Sequence, residues 1–382
     1  MKFRRITQTA LGAAVVLGGL AAGGGAARAD YAPSATDVIG ISGVTPQVTF
    51  DFLADGDNQG DSGYNASNNP NKFINFDATA DLNGRNPYLQ NSSASLNPTV
   101  VYRAGTSPIQ RVRSTGNAYT AFSQDTGSQK VFNFVGAANA PTAAQQAAAT
   151  PPNSLHVVQV GTDGVKIVAS NTTNAPAGLT RAQLLGIYKG TYTAWNQIPG
   201  NAGGSAATIK PYIPPADSAI NKALINELTI QNGGPFTLAA GVQFIEQNDP
   251  VPLAADANAI APFATGRLNV WNTPGGYFKN PNTPFPGGPT ISPGAKFLDG
   301  APIGGGTSWS STNGIYAVFR QADFVSTTKW QPGSAKNWVQ TLFLDSTPGA
   351  TPFVKKPAGQ ALLAASGITP LYADKGVGYS EG

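Results

Sequence analysis

The chain has 382 residues, 41% hydrophobic and only 12% charged, with 45 Gly, 30 Pro, a single His and no Cys. That balance excludes a coiled coil and a charged disordered chain, and the length suits two lobes. The lack of cysteine excludes disulfides, thiolate metal sites, cysteine catalysis and a lipidated cysteine anchor, and the formal net charge of +4 comes from the first segment.

Lys2, Arg4 and Arg5 precede a short apolar run, residues 10–22, and Ala27-Arg28-Ala29 is a small-x-small cleavage pattern before Asp30. Residues 1–29 therefore read as a signal peptide and the mature chain as secreted or periplasmic. This segment holds four basic and no acidic residues, so its removal takes the net charge from +4 to 0. No basic cluster remains for nucleic acid, and no second long apolar stretch remains for a membrane span.

Val38, Ile39 and Ile41 predict a strand, Ser42-Gly43-Val44-Thr45-Pro46 a turn, and a helix follows from about Gln47. Asp55-Gly56-Asp57-Asn58-Gln59-Gly60-Asp61 resembles the start of a calcium loop. Its twelfth position is Ala66 and Gln59 is a poor ligand, so it reads as a solvated acidic loop without metal. Residues 65–97 read as turns around short strands such as 73–76, and 99–103 as a further strand. Ser114 or Thr115 caps a helix start after Arg111 and Arg113. Residues 131–142 read Val-Phe-Asn-Phe-Val-Gly-Ala-Ala-Asn-Ala-Pro-Thr, and 143–152 are an Ala/Gln/Pro surface segment. Residues 155–170 read as two strand halves around Gly161-Thr162-Asp163-Gly164. His156, in that apolar strand, reads as structural; without a histidine that reaches both triad partners, no enzyme is expected.

Residues 179–228 are the most legible stretch. Thr180 is an N-cap, Leu184, Leu185, Ile187 and Tyr188 share a helical face, and Gly190 ends it. Trp195 reads as a buried anchor. Residues 209–213 form a strand, and Pro214-Pro215-Ala216-Asp217-Ser218 leads into a helix with Ile220, Leu224, Ile225 and Leu228 inward. Beyond it, Glu246 and Asp249 read as a salt-bridge cluster rather than an acid–base pair. Residues 273–306 are a Gly/Pro-rich surface insertion. A strand is expected at 314–320, a helix at 334–344 with Trp338 and Leu342 inward, and a last helix at 359–365.

The run Leu179, Thr180, Gln183, Leu184, Ile187, Tyr188, Gly190 and Trp195 resembles a signature of the phosphate-binding receptors of ABC transporters, in the class of type 2 periplasmic binding proteins. The resemblance implies an α/β fold of two lobes with a central cleft. It divides the mature chain into residues 30–157 of lobe 1, 158–265 of lobe 2 and 266–382 returning to lobe 1. It implies an oxyanion such as phosphate as ligand, an ABC permease as possible partner, a monomer, and no cofactor. It carries anion contacts to Thr45, to Ser114 or Thr115, to Asn139 and to Ser218. The departures are substantial. Ile41-Ser42-Gly43 replaces the family's Gly-x-Gly, and Ala138 and Asn139 stand where it has Ser and Asp. Residues 214–220 stand where its loop reads Arg-x-Asp-Gly-Ser-Gly-Thr, and only Ser218 is kept. Weak oxyanion binding is therefore the expectation. The alternative is a fold that has lost its anion and serves as an extracellular recognition or structural protein.

Overall fold

The computed structural model describes residues 37–43, 45–57, 61–66, 72–77, 119, 122, 132–149, 154–216, 218–245, 251–272, 295–297, 311–322, 338–344 and 351–381. The expected signal peptide and the expected strand at 99–103 lie outside these, as do Arg111, Arg113, Ser114, Thr115, Asp217, Glu246 and Asp249.

Three short parallel strands open the fold: β1 (Val38–Ser42), β2 (Phe73–Asp77) and β3 (Phe134–Ala137), with β1 in the middle. Gly40 of β1 has no side chain because the Phe134 ring fills that space; an added Cβ would lie 2.0 Å from it. Helix α1 (Gln47–Asp55) follows β1, and α2 (Ala143–Ala148) follows β3, capped by Thr142. Asp57 and Asp61 close the acidic loop on itself, the Asp61 N–H donating to Asp57 Oδ1 at 2.9 Å.

The strand β4 (Leu155–Ser170) is continuous over 16 residues, not two halves. The expectation of a break rested on Gly161 and Gly164. Gly161 instead makes room for Ile368, whose Cδ1 would lie 2.5 Å from an added Cβ. The segment β9 (Ser311–Arg320) runs antiparallel between β3 and the first part of β4. The second part of β4 pairs antiparallel with β7 (Ala259–Ala264) and with β8 (Ala295–Phe297), which lies inside the Gly/Pro-rich insertion. Parallel to β7 lies β5 (Lys210–Ile213), and β6 (Gln243–Phe244) follows at its other side. The order is β2-β1-β3-β9-β4-β7-β5-β6. One further strand, β10 (Thr369–Val377), pairs antiparallel with β4 at residues 156–162 and was not read in the sequence.

The apolar side chains gather in separate sets along β4. Val157, Val158 and Val160 join clusters with Phe50, Phe73, Phe134, Phe319 and Trp338, or with Ile39, Ile41 and Val318. Val165, Ile167 and Ala169 join one with Leu184, Tyr188, Trp195, Leu224 and Leu228. The chain is thus an α/β protein of two lobes strung on one strand. Helix α3 (Arg181–Tyr188) and helix α4 (Ala219–Asn232) cover the second lobe. Helix α5 (Val251–Ala255) lies before β7, α6 (Thr265–Asn272) leaves it, and α7 (Trp338–Leu342) and α8 (Pro357–Ala365) complete the first lobe. Among the described residues, no helix is long and apolar enough to cross a membrane.

Candidate functional site

Strand direction fixes where a site can form. The strands β1, β3 and β4 run the same way, because each of β3 and β4 is antiparallel to β9. In the second lobe β7 runs against β4, and β5 runs with β7. The carboxyl ends of the two strand sets therefore face each other across the middle of β4, at Gly161 to Gly164. Ligands of open α/β sheets sit at such ends.

From the first lobe, Thr45 and Asn139 stand just past the ends of β1 and β3. These two strands end level, since Ser42 pairs with Gly136 and the Gly43 N–H donates to the Gly136 carbonyl at 2.9 Å. Thr45 is half-buried. Pro46, the residue before α1, supplies no side-chain cap, so the first amides of α1 lack that acceptor. Buried side chains hold the start of α1 from below: Ser42 Oγ donates to Asn75 Oδ1 at 2.6 Å, and Asn75 Nδ2 donates to Asp51 Oδ1 at 2.9 Å. Asn139 is exposed, and its carbonyl accepts from the Tyr119 hydroxyl at 3.2 Å.

From the second lobe, Ser218 is buried and caps α4, its Oγ accepting the Asn221 N–H at 3.0 Å. Asn221 Nδ2 closes the loop onto the Pro214 carbonyl at 2.7 Å. Ala219, in the first turn of α4, packs against the core cluster of the first lobe. The start of α4 thus abuts the opposite lobe.

The sequence reading did not single out the charges at the centre. Asp163 of β4 is only 5% exposed. Its Oδ1 accepts the Gly266 N–H at 2.8 Å, so it sits on the first turn of α6 where the chain returns between the lobes. Burial pushes its carboxyl up to about 6, against the pull of the Gly266 and Gly164 amides and of Arg267. Arg267 is 3% exposed and donates from Nη2 to Gln47 Oε1 at 3.0 Å, linking α6 to the start of α1. Thr265 Oγ1, two residues before it, is buried with no hydrogen-bond partner among the described residues. Gly367 packs onto Gly266 and has φ +83; an added Cβ would lie 2.4 Å from the Gly266 carbonyl oxygen. A usable cue was present in Thr265-Gly266-Arg267, a helix start carrying a cation, but nothing local ties it to Gln47.

His156 keeps both ring nitrogens occupied. Nε2 meets Asp374 Oδ1 at 2.7 Å, Nδ1 meets Gln321 Oε1 at 3.1 Å, and the ring stacks on Phe319. Neither nitrogen is left to activate a hydroxyl.

A family model described as PBP superfamily domain matches residues 99–345. The chain belongs to the PBP superfamily. That membership accounts for the two-lobed α/β architecture and for carboxyl ends that converge between lobes. Solved structures with a related fold include a Clostridium perfringens protein with bound phosphate, 12% identical, over 88% of this chain and 100% of that one, TM-score 0.49. An ABC-type phosphate transport receptor of Vibrio cholerae is 15% identical over 87% and 99%, TM-score 0.42. A phosphate binding protein of Stenotrophomonas maltophilia is 13% identical over 88% and 91%, TM-score 0.46. No curated protein matches this PBP chain.

Proposed function

We propose that this chain is a secreted solute-binding protein that takes an oxyanion of the phosphate type, weakly, in the cleft between its lobes. The proposed lobe division follows the sequence reading, with residues 30–157 and 266–382 against 158–265. The observation that carries the reading is the meeting of helix starts at the cleft: α1 without a side-chain cap, and α4 capped by Ser218. Helix N-termini favour anions through their free amides and dipole. Thr45, Asn139 and Ser218 are the proposed contacts, joined by Ser114 or Thr115. Arg267 supplies positive charge beside α1, and Thr265 Oγ1 is a buried hydroxyl without a hydrogen-bond partner among the described residues.

Binding is weak because the strong contacts are gone. Pro214 stands where the resembled receptors carry an arginine, a charge-assisted contact worth about 1.5–3 kcal/mol. Ile220 replaces a hydroxyl donor, removing about another 1 kcal/mol. Asn139 cannot take a proton from hydrogen phosphate. Together the weakening is on the order of a hundred- to a thousand-fold. Calorimetry with phosphate, sulfate, arsenate and small carboxylates at neutral pH tests this. Dissociation constants in the high micromolar to millimolar range are expected, and silence toward every anion would sink the reading.

One observation favours a second reading, a recognition or structural protein that no longer binds an anion. One amide at the α4 start, that of Asn221, is already taken by Ser218 within the loop, and one at the α6 start, that of Gly266, by Asp163. A single stable macromolecular partner recovered from the extracellular medium, together with no anion binding, would select it.

A further inference from the structure

The segment after β10 does not trail into solvent. It folds back over the first lobe and brings a carboxylate to the carboxyl end of β3. Glu381 Oε2 accepts the Ala140 N–H at 3.2 Å, and its Oε1 accepts the Tyr316 hydroxyl. Ala140 is the residue next to Asn139, and Tyr316 pairs with Ala137, the last residue of β3. The seat is built rather than incidental. Tyr316 and Ala140 are buried, Gln146 Nε2 holds the Tyr379 carbonyl at 2.7 Å, and the Gly378 N–H donates to the Leu155 carbonyl at 3.0 Å. Burial first, then the facing Glu381, raises the hydroxyls of Tyr119 and Tyr316 well above the usual phenol range. Both stay protonated, so the Tyr316 hydroxyl remains a donor toward an anion.

A backbone amide and a phenol converging on a carboxylate form a recognition site for an oxyanion, and here the ligand is part of the chain. We propose that Glu381 is a tethered anion that occupies the donors at the end of β3 and competes with soluble oxyanions for the cleft. The proposal rests on the reading of that cleft as an anion site. A tethered group needs no great intrinsic affinity, since a short tether gives it a millimolar-range effective concentration. Only an anion that out-competes this local carboxylate fills the site.

The test is calorimetric titration of phosphate and of acetate into the full chain, Glu381→Gln and Glu381→Ala. Loss of the charge is expected to tighten phosphate binding at least ten-fold in both variants. Equal or weaker binding in the variants overturns the tethered anion and leaves the oxyanion reading standing. No binding by any of the three chains overturns both. Should Glu381→Ala fail to fold, hydrogen exchange on the unaltered chain decides. At phosphate levels that fill the site, the amides of residues 379–381 should exchange faster; unchanged protection there overturns the proposal.

Discussion

Asp163 is the residue whose environment says most about its cost. Its ordinary value is 3.8 and its folded value about 6, raised mainly by burial. The folded state therefore holds this proton more tightly than the unfolded chain. The resulting stability is fully present below about pH 4 and is lost as pH rises through about 6. Two units correspond to about 3 kcal/mol as an upper figure. Chemical denaturation at pH 4 and pH 7 should show this loss in the native chain, and Asp163→Asn should flatten it. A slope unchanged by that variant would place the titration elsewhere. Trp195 gives a second residue-scale expectation. Its side chain is fully buried, and Nε1 donates to Asn258 Oδ1 at 3.0 Å. Trp195→Ala should cost about 3–5 kcal/mol in denaturant unfolding. A loss below about 1 kcal/mol would contradict the packing. Trp195 was legible because a large aromatic closes the turn that follows a capped helix. Asp163, Arg267 and Glu381 were not, because each acquires meaning only from a partner distant in sequence.

At the scale of elements, α3 shows what a sequence can state locally. The Thr180 hydroxyl accepts the Gln183 N–H at 3.1 Å, and Gln183 Oε1 accepts the Thr180 N–H at 2.7 Å. Gly190, at φ +77, then ends the helix. Spacing, cap and stop all lie within a dozen residues, so the reading needed no tertiary knowledge. Thr180→Ala should cost about 1 kcal/mol, measured as a shift in the denaturation midpoint; no shift would mean the cap carries no weight. The strand β10 shows the opposite case. Its residues are half-buried or exposed, its register with β4 shifts twice, and its partner lies some two hundred residues earlier. Neither alternation nor an apolar run marks it. β4 misled for a related reason: Gly161, which signals a turn locally, is there to admit Ile368 and Thr369.

For the whole molecule, the two-lobed class was legible from length and from the signature around Thr180, while the chemistry of the cleft was only half legible. The loops expected to carry it diverge from the resembled family, and the buried charges between the lobes, Asp163 and Arg267, arrive on β4 and on the return crossing. If the cleft closes on an anion, small-angle scattering should report a smaller radius of gyration with saturating phosphate than without. An unchanged radius would mean that the lobes are already fixed against each other, as the packing of Ala219 on the first-lobe core allows.

The shared strand also bears on how the protein melts. β4 gives its backbone hydrogen bonds to β9 and β10 over one part and to β7 and β8 over the other. Neither lobe can lose its pairing without exposing a strand edge that belongs to its neighbour. The lobes should therefore unfold as one cooperative unit, with a single heat-absorption peak and a calorimetric enthalpy equal to the van't Hoff value. For the same reason, a fragment of residues 158–265 produced alone should aggregate, because residues 158–165 of β4 would be left without their partners β9 and β10.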